Sequence, residues 1–222
     1  MRMTNEERNR VTAAVTAAEA ETDGEIVTVV AQSSDSYHDV ALHWTLLAML
    51  LVIALLATFP RAVDAIHALV DPWSPVVTNR AALTIALFLA AITFLIGRAV
   101  FAWRPLRLAL TPRATKARRV RARALAIFRA SAEKRTIGAT GVLLYLSLAE
   151  HRAEIIAEAA IHDRVPHETW GAAMAALIGP LKQGRVADGM AAAVAQIGQV
   201  LAAHFPRSDG DTNELPDRLI EL

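Results

Sequence analysis

The sequence predicts an α/β domain interrupted by a transmembrane helical hairpin, and three observations carry that reading. Residues 41–59 and 81–97 form two apolar runs without a single Asp, Glu, Lys or Arg. An α-helix rises about 1.5 Å per residue, so runs of this length cover close to the ~30 Å hydrocarbon core of a bilayer. Three short segments, 25–31, 140–149 and 152–160, are rich in β-branched and aliphatic residues and read as strands. Amphipathic helical patterns flank these strands on both sides of the apolar pair, which is the alternation an α/β sheet requires.

Bulk properties agree with this division. The 222 residues are 54% hydrophobic, with a mean hydropathy of +0.33, high for a soluble enzyme and ordinary for a two-span protein. The formal net charge is only +1, so no polyelectrolyte partner is implied. The absence of cysteine excludes disulfides, thiolate nucleophiles and thiolate metal sites. Residues 4–21 are polar and charged, so the first apolar run is expected to be a retained signal anchor, not a cleaved signal peptide.

Thr4 followed by Glu7 is a capping-box pattern that opens a helix to about Glu21, with Val11, Ala14, Val15 and Ala18 on its apolar face. Asp23-Gly24 ends it, and 25–31 (EIVTVVA) follows as a buried strand. Residues 32–39 are polar linker before the first span. After the second span, which reaches about residue 101 with its flank, Thr111-Pro112 pairs an N-cap with a first-turn proline. The helix that follows is expected to end near Lys134. Segments 140–149 and 152–160 make a tight hairpin around Glu150-His151. A helix begins at Pro166 and is expected to stop at Gly179-Pro180; a last helix runs from about Val186 to His204. The first strand has no partner on its own side of the apolar pair, so it is expected to pair with 140–149 across it. The expected division is 1–40, the hairpin 41–103, the remainder of the split domain 104–206, and a flexible acidic tail 207–222.

Charge orients the hairpin. Twelve Lys or Arg fall between Arg98 and Arg135 against one acid, Glu133, whereas the link 60–80 balances Arg61 and Arg80 against Asp64 and Asp71. Positive charge within ~15–20 residues of a span marks the cytoplasmic side, which places both termini inside in a multi-pass protein of a bacterial inner or plasma membrane. Trp44 and Trp103 are expected at the inner interface and Trp73 at the outer one. Arg104, Arg107, Arg113, Lys116, Arg118 and Arg119 are candidates to face anionic lipid headgroups, each worth ~1 kcal/mol near the surface. Only Phe101, Trp103 and Phe128 are aromatic in that stretch, too few for stacking platforms, so nucleic acid is not an expected partner. Neither span carries a deep charge, which argues against transport by a single chain and leaves homo-oligomers open.

Particular residues resemble the TPM-domain family, named after a thylakoid-lumen protein, a photosystem II repair protein and an acetylcholine-receptor modulator. Gly24-Glu25-Ile26-Val27-Thr28-Val29-Val30 looks like its first strand. Gly141-Val142-Leu143-Leu144-Tyr145-Leu146-Ser147 with Glu150-His151-Arg152 looks like its hairpin. The stretch from Glu154 to Glu158, Ile161 with Asp163, Gly179-Pro180-Leu181-Lys182, Gly184 and Asp188-Gly189 match the later pattern. The resemblance covers about 130 residues and implies a three-layer α/β/α sandwich with a small mixed sheet, here interrupted by the transmembrane hairpin. It also implies a membrane-tethered role in the assembly, repair or modulation of membrane complexes. Weak acid phosphatase activity and calcium binding are attributed to the plant member. Most family members place the domain outside the cytoplasm behind an N-terminal signal, and the inward basic flanks here depart from that.

Chemistry is sparse. There is no phosphate-loop pattern, no Gly-x-Ser-x-Gly, no Gly-x-Gly-x-x-Gly and no His-Glu-x-x-His, and the seven histidines are scattered. Open α/β sheets gather ligands at the carboxyl ends of their strands, where Ser33, Ser34 and Asp35 follow the first strand and Glu150 the second. Asp35, Glu150, Asp163 and Asp188 are therefore candidate ligands for calcium or another divalent cation. The alternative reading makes the same residues linker, turn and cap groups. Asp209–Glu214 superficially looks like a calcium loop but lacks the glycine and distal glutamate at the required spacing. The sequence thus favours a cytoplasmic, non-catalytic accessory factor that binds or maintains another membrane protein. A metal-dependent phosphatase or other hydrolase of the membrane surface is the competing expectation.

Overall fold

The computed structural model describes residues 3–74, 76–131, 140–208, 215 and 217–222. It divides into an α/β unit, residues 1–35 with 113–222, and a helical unit, residues 36–112.

The α/β unit begins with α1 (Asn5–Glu19), whose capping box forms as the sequence predicts: Thr4 Oγ1 accepts from the Glu7 N–H at 3.2 Å and Glu7 Oε2 accepts from the Thr4 N–H at 2.7 Å. Strand β1 (Glu25–Ala31) is buried on both faces along its whole length. It pairs in parallel with β2 (Gly141–Ser147), from Glu25 opposite Gly141 to Ala31 opposite Ser147, so the sheet closes across the intervening helices as expected. Strand β3 (Arg152–Ala157) returns antiparallel to β2 through a turn in which His151 takes φ 51. With a last short strand, β4 (Ile220–Glu221), the order is β3-β2-β1-β4, a mixed sheet.

Two apolar layers cover this sheet, because alternate residues of each strand point to opposite faces. Ile26, Val30, Val142, Leu144 and Leu146 pack with α1, α8 (Gly171–Leu181) and α9 (Val186–His204); Val11, Val15, Leu177, Met190, Ile197 and Leu201 are fully buried there. Full burial of each such aliphatic side chain contributes about 1.5–3 kcal/mol. Val27, Val29, Leu143 and Tyr145 face α6 (Arg113–Ser131), which contributes Val120, Ala124 and Phe128. The result is the three-layer α/β/α sandwich. At Gly198 of α9 an added Cβ would stand 2.6 Å from the Ala18 Cβ, so glycine is what lets α1 and α9 approach so closely.

Four local expectations are corrected. Gly179-Pro180 does not stop a helix: α8 runs to Leu181 with Pro180 inside, preceded by a single 3-10 turn, His167–Trp170. The third strand ends at Ala157, and 159–162 is a short helix, α7 (Ala159–His162), because Glu158 caps the strand by accepting from the Gly141 N–H at 2.7 Å. Strand β2 is shorter than the apolar run because Leu148 and Ala149 leave the ladder to donate to the Ala31 and Gln32 carbonyls. The tail is in part structural: β4 (Ile220–Glu221) extends the sheet parallel to β1, and Leu215 and Leu219 are buried. Residues 209–214, and the expected helix end near Lys134, lie outside the described residues.

The helical unit contains α2 (His38–Thr58), α3 (Pro60–Val70), α4 (Asn79–Val100) and α5 (Arg104–Leu110). The link between the apolar runs is therefore mostly helix, started by Pro60 at the first position where its missing N–H costs nothing. By length and composition three helices among the described residues could cross a membrane: α2, α4 and α9. In α9 half of the apolar window is buried in the α/β core, whereas in α2 and α4 only 6% is. Leu46, Leu50, Leu87, Phe88 and Leu95 are among the large apolar side chains these two helices leave exposed.

Candidate functional site

The carboxyl edge of the sheet gathers the polar groups that the strand order predicts there. Glu150, in the β2–β3 turn, is 7% exposed. Its Oε1 accepts from the Ser34 N–H at 3.0 Å and from Ser33 Oγ at 3.2 Å, and its Oε2 accepts from Ser147 Oγ. Ser33 Oγ also lies 2.6 Å from the Asp35 carbonyl oxygen as a donor. The Tyr145 hydroxyl meets Ser34 Oγ at 2.9 Å. Burial pushes the Tyr145 hydroxyl above its usual range; the Ser34 contact opposes that shift and the Glu150 carboxylate adds to it. Asp35 accepts from Arg119 Nη1 at 2.7 Å.

The edge is thus a closed hydrogen-bonded cluster in which one buried carboxylate satisfies three donors. Chemically, Asp35 and Glu150 could offer oxygens to a hard cation only if those bonds were exchanged for ligand bonds. The other two candidate acids sit elsewhere. Asp163 is an exposed residue after α7. Asp188 lies in the first turn of α9, paired with Arg10 of α1 and with Arg185 at 2.9 Å. The Arg10 hydrogen bond, then that of Arg185, holds its carboxyl below the ordinary range. Among the described residues no group of three or more His, Asp or Glu is arranged to hold a metal ion.

The six basic candidates also separate. Arg104, Arg113 and Arg118 are exposed and Lys116 is half-buried. Arg119 is committed to Asp35. Arg107 differs from the others in being 6% exposed, with its guanidinium inside the helical unit. Its Nη1 donates to the Ser36 carbonyl at 2.8 Å and to His38 Nδ1 at 2.9 Å.

Sequence reasoning missed a second acidic group. Glu19, at the end of α1, accepts from the Ile26 N–H through Oε1 at 2.7 Å, while its Oε2 is buried with no donor among the described residues. Burial raises its pKa to about 8; the Ile26 bond opposes this, and the nearby Glu25 and Asp217 carboxylates reinforce it. Asp217 is held by Thr16 Oγ1 at 2.6 Å and Glu25 accepts from the Leu215 N–H at 3.3 Å, so the cluster fastens the C-terminal segment to α1 and β1. The only advance signal was a carboxylate at the end of α1, shortly before a strand buried along its whole length.

A mixed sheet of this order, layered between α1, α8 and α9 on one side and α6 on the other, defines a small α/β/α protein of the TPM-fold type. Residues 106–200 match the family model described as TPM domain and named TPM phosphatase. The NMR structure of the BA42 protein from the psychrophilic bacterium Bizionia argentinensis is similar in fold, with a TM-score of 0.59 and 18% identity over 100% of this chain and 97% of that one. No curated protein sequence matches the chain.

Proposed function

We propose that this chain is an integral membrane protein whose α2–α4 hairpin holds a cytoplasmic TPM domain beside another membrane protein or complex, which it binds or maintains without catalysing a reaction. The observation that supports this most is the state of the carboxyl edge: Glu150, Ser147, Ser33 and Ser34 are spent on one another, so the groups best placed for chemistry act as structure. The exposed apolar lengths of α2 and α4 supply the anchor, since ~20 apolar residues suffice to span a bilayer. Crosslinking in intact membranes followed by mass spectrometry tests the reading. A reproducible membrane-protein partner is expected, and recovery of none above background contradicts it.

A second reading, a membrane-surface metal-dependent phosphatase, draws on the name of the matching family model and on Asp35 and Glu150 at the sheet edge. Phosphatase turnover that requires a divalent cation and disappears in Asp35→Ala and Glu150→Ala would favour it over the first.

A further inference from the structure

We propose that the helical unit holds a binding site for the phosphodiester of an anionic phospholipid, built on Arg107, Arg98 and His38; the site rests on the reading of α2 and α4 as a membrane hairpin. A cavity of about 500 Å³ opens among the first turns of α2, the last turns of α4 and α5. That volume is in the usual range of ligand sites, about 300–1,000 Å³. Its lining divides by chemistry. Arg107, Arg98 and His38 supply the cationic and polar part, and Leu42, Phe94 and Phe101 the apolar part. A phosphate joined to acyl chains presents the matching division, whereas a free phosphate has no use for the apolar wall.

The state of Arg107 gives the stronger argument. A guanidinium is always charged and has five N–H donors. At Arg107 two acceptors, the Ser36 carbonyl and His38 Nδ1, share Nη1, and Nε is buried with no acceptor among the described residues. Among the described residues no carboxylate pairs with it. Burying a cation without a counter-charge is costly, and an anion in the adjoining cavity removes that cost. His38 is set up in the same sense. Because Arg107 can only donate, Nδ1 is the acceptor and the neutral ring carries its proton on Nε2, a further donor for an anion. Arg98 adds a second cation from the last turn of α4. The position suits a lipid, since Arg98 and His38 lie at the span ends where headgroups reside.

The full chain, purified in mild detergent and offered dioleoylphosphatidylglycerol or dioleoylphosphatidylcholine, can be examined by native mass spectrometry. One phosphatidylglycerol is expected to remain bound at least tenfold more readily than phosphatidylcholine. Arg107→Gln is expected to abolish that preference, and Arg98→Gln, a change at an exposed residue that leaves the fold intact, to cut it several-fold. Arg118→Gln, which removes the same charge outside the cavity, is expected to leave it unchanged. Equal retention of the two lipids, or equal losses in Arg98→Gln and Arg118→Gln, would overturn the site. Competition by inorganic phosphate or glycerol 3-phosphate at the lipid's own concentration would show a small-anion site and overturn the lipid assignment. Incorporation into lipid nanodiscs is scored separately. A chain that incorporates but shows no lipid preference refutes this site alone, and one that does not incorporate refutes the membrane hairpin with it.

Discussion

Gly97 of α4 lies so close to Thr45 of α2 that a Cβ on the glycine would stand 2.7 Å from Thr45 Oγ1 and 2.8 Å from its Cγ2. Thr45 is 3% exposed and donates its hydroxyl to the Ala41 carbonyl at 2.9 Å, so it cannot easily turn away. In lipid, helices gain little from apolar burial and depend on such small-residue contacts. Gly97→Leu is therefore expected to destabilise the hairpin by about 1–3 kcal/mol through overpacking, with partial rescue by Thr45→Ala. Unfolding of the purified proteins in mixed micelles of increasing SDS content measures this, and an unchanged midpoint in Gly97→Leu would contradict the contact.

The buried Glu19 makes stability depend on pH in a direction opposite to that of an ion-paired carboxylate. Its pKa rises from the ordinary 4.5 to about 8 in the folded chain. Between those values the folded state keeps a proton that the unfolded chain releases, so the contribution is fully present below pH 4.5 and is lost as pH rises through 8. The slope is at most about 1.4 kcal/mol per pH unit. Urea unfolding midpoints are expected to fall from pH 5 to pH 8 in the native chain and to stay flatter in Glu19→Gln, which is the more stable of the two at pH 8.

Thr28 sits in the centre of β1, 1% exposed, with an Oγ1 that has no hydrogen-bond partner among the described residues. An unmatched buried hydroxyl costs free energy that a methyl of similar size does not. Thr28→Val is expected to raise stability by about 1 kcal/mol, read as a higher urea midpoint. Thr28→Ser, which keeps the hydroxyl and loses the methyl, is expected to lower it.

Much of the architecture was legible because it rests on pattern. The β-branched run 25–31 became β1 with those bounds, and the burial of both its faces followed from the absence of polar alternation. The partner strand was legible because β1 lacked a local one. Less legible was anything decided by one distant contact. β4 is two residues long, and only the free edge of β1 makes Ile220 and Glu221 a strand. Pro180 reads as a stop, yet the helix around it continues because the packing of α8 on α9 overrides local propensity. The site divided in the same way. The strand ends located Glu150, but spacing could not reveal that Ser147 and Ser34, far apart in sequence, would consume its oxygens. Arg107 looked like one of a basic series, and its burial depended on Ser36 and His38, about 70 residues earlier.

Glu150 distinguishes a structural edge from a reactive one. Removal of its carboxylate strands the Ser34 N–H and the Ser147 hydroxyl in a buried site, so Glu150→Ala is expected to cost about 2–4 kcal/mol in stability. Glu150→Gln keeps one acceptor and is expected to cost less. Asp35→Ala gives up a partly exposed bridge to Arg119 and is expected to cost at most about 1 kcal/mol. Urea titration of the three variants checks this ranking, and a Glu150→Ala chain as stable as the native one would contradict the structural role.

The most direct test of a cytoplasmic TPM domain on a membrane hairpin uses the absence of native cysteine. Single cysteines at Asp71, after α3 in the link, and at Ser208, after α9, both fall at exposed positions. A membrane-impermeant maleimide applied to intact cells is expected to label Asp71→Cys, and Ser208→Cys only after permeabilisation. Labelling of Ser208→Cys in intact cells, with Asp71→Cys protected, would reverse the orientation, and equal labelling of both would contradict the hairpin.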